Sequence, residues 1–195
     1  MAKKQVPKMI LLSAGHHSAA KGAAFGEFNE HDEATKWAGQ LAILLRQQTH
    51  VYVIPSGPLS SKIKFINDYV AEPVDLALEI HFNSDPLHKG RGSETLYCPG
   101  SVHGWRMAQI IQGALATIFQ PNRGAKEGWY RQDKPGHIDY AGDVDGDEKM
   151  DAFLSQTKPP TLIVEPEFIH NQVRIESLRA AGCVVLCDAI LEAVK

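Results

Sequence analysis

The sequence predicts an α/β fold built on a largely parallel sheet, in a single domain over residues 1–195. Three observations carry this. Short apolar runs alternate with helical patterns, the signature of strand–helix–strand units. A chain of 195 residues fits one domain of the usual size, about 100–200 residues. Three of the apolar runs end in a residue able to bind a metal or move a proton: residues 9–15 run into His16, 76–80 into His81 and 161–164 into Glu165. Ligands of an open α/β sheet bind in the crevice at the carboxyl ends of its strands. If these runs are neighbouring strands, two histidines and a carboxylate share that crevice.

The elements follow in order. Residues 8–13 form the first strand, and a small-residue loop runs from Gly15 to Phe28. Asn29 caps the next helix, with Asp32 reaching back as in a capping box. Ala34, Trp37, Ala38, Leu41, Leu44 and Leu45 then make an apolar stripe at helical spacing. Residues 51–54 are a second strand, closed by Pro55 and Gly57, and 60–70 a helix with Ile63, Ile66 and Val70 inward. Residues 75–81 are a third strand, apolar on both faces except at Glu79, as a central strand requires. Residues 93–97 form a fourth strand, stopped by Pro99-Gly100. A helix follows through Met107, Ile110, Ile111, Ala114, Leu115 and Ile118. Residues 133–158 are rich in Asp, Gly and Lys with no clear period, and read as a long loop or small excursion of functional or mobile character. Residues 161–164 are the last central strand, and 174–194 close the domain as one or two helices.

Bulk properties exclude several functions. A net charge of −3 leaves no electrostatic footprint for nucleic acid or an anionic membrane. No stretch approaches the roughly 20 apolar residues of a membrane span, so no membrane insertion is expected. The basic segment 1–8 precedes only four apolar residues, 9–12, too few for a signal-peptide core of about 7–15. Synthesis in the cytoplasm without a signal peptide is expected. Of the three cysteines, Cys183 and Cys187 lie one helical turn apart as core filling, and no CxxC pair offers a thiolate zinc site. A reducing compartment of synthesis fits.

A catalytic zinc takes three protein ligands and leaves a fourth position for water. His16 and His81 supply two, and the third should come from a nearby loop or helix start. Glu30 stands there, with Glu27 and Glu33 as rivals. Glu165 is a second carboxylate, able off the metal to take a proton from water and deliver it to a leaving nitrogen. Burial at a strand end favours a raised pKa for that work. His17 competes with His16, and Glu167 with Glu165.

These residues stand in a longer ordered pattern: Gly15-His16 with Gly22-Ala23, Glu30, Ile80-His81-Phe82-Asn83-Ser84, Gly92-Ser93-Glu94-Thr95-Leu96-Tyr97, Asn122-Arg123-Gly124 and Val164-Glu165-Pro166-Glu167-Phe168-Ile169-His170-Asn171. Over nearly its whole length the chain resembles the zinc-dependent N-acetylmuramoyl-L-alanine amidases of the amidase-3 type, most of all a phage endolysin catalytic domain. Each motif alone is weak; their order is the specific signal. The resemblance implies one zinc per chain, held by His16, Glu30 and His81, with Glu165 as catalytic acid and base. It implies cleavage of the amide between muramic acid and the first L-alanine of the peptidoglycan stem, on a twisted mixed sheet of about six strands flanked by helices. It further implies action on the cell wall after holin-type release, with no separate wall-binding domain. Two positions depart from the family: His17 and Glu167 stand where it usually has glycine.

Other residues have plainer readings. His31, His50, His88, His103 and His137 read as structural or surface histidines. Asn83, Arg123, His170 and Asn171 are candidate substrate contacts. Arg123, Lys126, Trp129, Tyr130 and Arg131 mix cations with aromatics, suited equally to sugar and stem-peptide carboxylates or to rim packing. Asp143, Asp145, Gly146, Asp147 and Glu148 resemble half a calcium loop, but Leu154 stands where the closing glutamate belongs. The expected partner is the muramyl peptide, the expected state a monomer. The alternatives are a zinc carboxypeptidase-like metallopeptidase and a metal-free wall-binding module.

Overall fold

The structure, a computed structural model, describes residues 8–69, 73–131 and 148–195. In chain order its elements are β1 (Met9–Ala14), β2 (Ala24–Phe25), β3 (Phe28–Asn29), α1 (Glu30–Leu45), β4 (His50–Val53), α2 (Leu59–Asp68), β5 (Leu76–Ile80), β6 (Ser93–Tyr97), α3 (Val102–Leu115), β7 (Asn122–Glu127), β8 (Trp129–Arg131), β9 (Glu148–Met150), α4 (Ala152–Ser155), β10 (Thr161–Glu165) and α5 (Gln172–Ala193). Six strands make one sheet in the order β4-β1-β5-β10-β6-β7. All neighbours run parallel except β10 and β6. The sheet is thus mixed, with six strands, as the family resemblance implies.

Side-chain alternation divides the core. Ile10, Leu12, Leu76, Leu78, Ile80, Leu162 and Val164 face one way and pack under α1, α3 and α5. Met9, Leu11, Ala77, Leu96 and Ile163 face the other way, under α2, α4 and the loop residue Ile54. Helices therefore cover both faces, the second more thinly. Every residue of β5 and β10 is buried, as expected of central strands. On α1 the predicted stripe is buried except Leu44, which is partly so, and Asn29 caps the helix by accepting the Asp32 N–H at 2.9 Å. Residues 172–193 form one unbroken helix rather than two.

Three features depart from the pattern read off the sequence. β7 has no apolar run because, among the described residues, it is an edge strand paired with β6 alone. The β2–β3 hairpin sits inside the loop before α1. Residues 148–158 are not all loop: β9 pairs with β8 and α4 follows. Val70, His137, Asp143, Asp145, Gly146 and Asp147 lie outside the described residues.

The parallel strands β1, β5 and β10 end side by side. The Gly15 N–H donates to the Ile80 carbonyl at 2.7 Å, and the His81 N–H to the Val164 carbonyl at 2.9 Å. The three strand ends are thus joined in one row.

Gly182 on α5 lets Trp37 and Phe119 close over it: a Cβ there would lie 2.6 Å from Trp37 Cη2 and 2.9 Å from Phe119 Cε2. Glycine to alanine inside a helix ordinarily stabilises, by up to about 1 kcal/mol. Here overpacking, at about 1–3 kcal/mol, reverses the sign. Gly182→Ala is expected to lower the urea midpoint, and an unchanged or raised midpoint would contradict this packing.

Candidate metal centre

The chain leaves β1 through Gly15, which has no room for a side chain: a Cβ would lie 2.7 Å from the His81 ring. His16 then takes φ +58, a left-handed backbone that costs a non-glycine residue about 1–3 kcal/mol. This turn brings its Nε2 to 2.9 Å from Glu30 Oε2. Gly22, at φ +77, passes so close that a Cβ would lie 2.3 Å from the His16 ring and 2.6 Å from Glu30 Oε2. Glu30 opens α1 and is buried. Its Oε2 accepts the Ala23 N–H at 3.1 Å; its Oε1 accepts the Phe82 N–H at 3.1 Å and lies 2.7 Å from His81 Nδ1. One ligand atom from each of His16, Glu30 and His81 lies within 4.8 Å of the others. Among the described residues this is the one such cluster.

The cluster suits a cation. Two imidazoles and a carboxylate form the two-histidine, one-glutamate set of catalytic zinc sites. Burial works against a charged Glu30, but hydrogen bonds to His16 and His81 outweigh it and hold the carboxyl well below its usual range. Burial likewise disfavours a charged His81, yet the carboxylates of Glu30 and Glu79 raise it well above 6.5. Two glycines keep the cradle clear of Cβ atoms. The His16 side chain stays 35% exposed and that of His81 18%, so a substrate can reach both.

The rivals do not join this cluster. His17 bridges Ala20 through its backbone and is not among the converging ligands. Glu27 is exposed, and Glu33 pairs with Lys36 and with Arg179 at 3.3 Å. His31 holds the turn from beneath, its Nδ1 2.8 Å from the Gly15 carbonyl.

Glu165 ends β10, beside the His81 strand and in register with Glu94 on β6. It is buried, and that burial, with the charge of Glu94, pushes its carboxyl up to about 8 against the pull of His81. Glu94 is fully buried and accepts from Asn83 Nδ2 at 2.6 Å, Lys126 Nζ at 2.8 Å and Arg123 Nε at 3.0 Å. Glu167 is fully buried too, but it clasps the chain. It accepts from Gly92 N–H at 2.8 Å, Phe168 N–H at 3.0 Å, Asn171 Nδ2 at 3.1 Å and Arg174 Nε at 2.7 Å.

The candidate substrate contacts gather around these carboxylates. Arg123 lies over the Phe168 ring, 5.0 Å from its centroid. The His170 ring packs among Phe25, His88 and Phe168, with a buried Nδ1 that has no hydrogen-bond partner among the described residues. Asn171 Nδ2 also reaches the Gly90 carbonyl at 3.1 Å.

The family model described as N-acetylmuramoyl-L-alanine amidase matches residues 10–195. The chain belongs to that amidase family. The catalytic domain of the CD27L endolysin targeting Clostridia difficile superposes at TM-score 0.71 with 25% identity, over 95% of this chain and 97% of that one. Below that identity, two further structures share the fold. The amidase CwlV of Bacillus (Paenibacillus) polymyxa var. colistinus has TM-score 0.74 and 17% identity, over 95% of this chain and 97% of its own. A Neisseria meningitidis protein described as a putative amidase has 0.66 and 24%, over 95% and 94%. Among curated proteins, none matches the chain in sequence.

Two parts of this amidase's site escaped sequence reasoning. Glu94 stood only as a letter in a motif. Glu79 stood as the lone charge in an apolar strand, and Lys62, whose Nζ lies 2.8 Å from Glu79 Oε1, carried no signal within α2. The unexplained charge at Glu79 was the clue.

A metal bound at this cluster would displace the Nδ1 proton that a charged His81 directs at Glu30. In the metal-free protein the histidine is held protonated above 6.5. Metal affinity is therefore expected to fall as pH falls, and binding near pH 7 to release about one proton from this ring. Calorimetry in buffers of different ionisation enthalpy reads that release; none would contradict the charge arrangement.

Proposed function

We propose that the chain is a zinc-dependent peptidoglycan hydrolase that cleaves the amide between N-acetylmuramic acid and L-alanine of the stem peptide. The convergence of His16, Glu30 and His81 beside a buried, high-pKa Glu165 carries this reading. When bound, zinc supplies Lewis acidity, polarising a carbonyl and making water nucleophilic at neutral pH.

The chain's own residues do the rest. His16, Glu30 and His81 would hold the metal, and the left-handed turn at His16 brings its ring to Glu30. Glu165 takes the proton from the attacking water. Burial and the charge of Glu94 raise the basicity of that carboxylate, which suits it to take the proton and pass it to the more basic nitrogen of L-alanine as it leaves. Arg123 and His170 meet the muramyl peptide; Asn83 and Asn171 fasten the loops that present them. The residues of the cluster all come from one chain, which supports a monomeric enzyme. Likeness to an endolysin catalytic domain supports a lytic role at the cell wall. Among the described residues no helix is long and apolar enough to cross a membrane.

His16→Ala is expected to lose both zinc and wall lysis. Glu165→Ala should keep zinc and lose about 10²–10⁴-fold in turnover. Elemental analysis and turbidity clearing of purified walls check both, and full lysis by Glu165→Ala would end this assignment. Mass analysis of the digest should show new L-alanine amino termini. A freed C-terminal amino acid would instead identify a carboxypeptidase.

A further inference from the structure

We propose that Glu79, clamped by Ser13 and Lys62, is a positioning residue that fixes the ring of His81 for the metal; the proposal rests on reading His16, Glu30 and His81 as zinc ligands. Glu79 stands two residues before His81, on the same face of β5 as Ala77, and its Oε2 lies 3.1 Å from His81 Nε2. The other ring nitrogen, Nδ1, faces Glu30 at 2.7 Å. A proton on Nε2, given to Glu79, leaves the Nδ1 lone pair pointing at the ligand cluster. An anionic acceptor thus selects the tautomer, sets the ring's angle and raises its basicity as a ligand.

Glu79 is itself held on its far side. Its Oε1 accepts from Ser13 Oγ and from Lys62 Nζ, both at 2.8 Å. Ser13 is its register partner on β1, and Lys62 comes from the first turns of α2 and also donates to the Ala14 carbonyl. Glu79 and Lys62 are each 3% exposed and Ser13 is fully buried. Stability does not call for such a pair, because an apolar pair of similar volume is often as stable or more so. Its contact with a ligand ring supplies the reason: Lys62 cancels the charge Glu79 needs in order to orient His81. The same network ties the ends of β1 and β5 together, so both histidine-bearing turns share one anchor.

The test uses the full chain. Zinc affinity is read by competition with a chelator, and metal-free stability by thermal unfolding. Glu79→Gln is expected to weaken zinc binding about 10–100-fold. The double variant Glu79→Gln with Lys62→Met removes both charges. It should unfold near the wild-type temperature without metal, yet keep the weakened zinc affinity. Wild-type affinity in the folded double variant would show a merely structural pair and overturn the proposal. On the zinc-loaded wild type, ¹⁵N NMR should find His81 protonated at Nε2 and ligated through Nδ1, and the reverse would overturn it as well. A wild-type chain that takes up no zinc fails earlier, at the metal centre itself.

Discussion

A buried carboxylate needs partners, and Glu30 has a full set: two imidazoles and the backbone N–H groups of Ala23 and Phe82. The other features of the site serve to assemble this arrangement. The two imidazoles come from the ends of adjacent parallel strands, and the carboxylate from the first residue of α1. Bringing these together requires a left-handed turn at His16 and two glycines with no room for Cβ. The helix start contributes as well, since its N-terminal dipole favours a negative charge.

Face alternation explains why the carboxylates gather on one side. Glu79 follows Ala77, Glu94 precedes Leu96 and Glu165 follows Ile163, each two residues apart, and all three apolar residues lie in the smaller cluster under α2 and α4. The larger cluster fills the opposite face with aliphatic and aromatic side chains. These three carboxylates thus lie on the thinly covered face. There Lys62 neutralises Glu79, Arg123 and Lys126 neutralise Glu94, and Arg174 neutralises Glu167.

Glu165 and Glu167 show how two similar carboxylates acquire different surroundings. Glu167 accepts four hydrogen bonds, one from a guanidinium, and locks the chain between β10 and α5. Glu165 ends the strand facing another carboxylate across an antiparallel pair, and that charge together with burial raises its proton affinity. Strand alternation places both on one side, so periodicity alone does not separate them.

Much of the fold was legible because its signals are local. Full burial of β5 and β10 writes a continuous apolar run, α1 writes a 3.6-residue stripe after a capping Asn29, and three strand ends carry unusual polar residues. The edge strand β7 and the two small hairpins have no buried face to mark them. Residue order alone therefore determined the α/β class, the strand-end placement of His16, His81 and Glu165, and the candidacy of Glu30. Only the tertiary structure gathered His16 rather than His17 and Glu30 rather than Glu33 into one cluster, gave Glu165 and Glu167 different partners, and joined Lys62 to Glu79. Those choices depend on which side chains meet across strands far apart in the chain, and on how burial and neighbouring charge set their protons. Neither quantity is a property of a residue and its near neighbours in sequence.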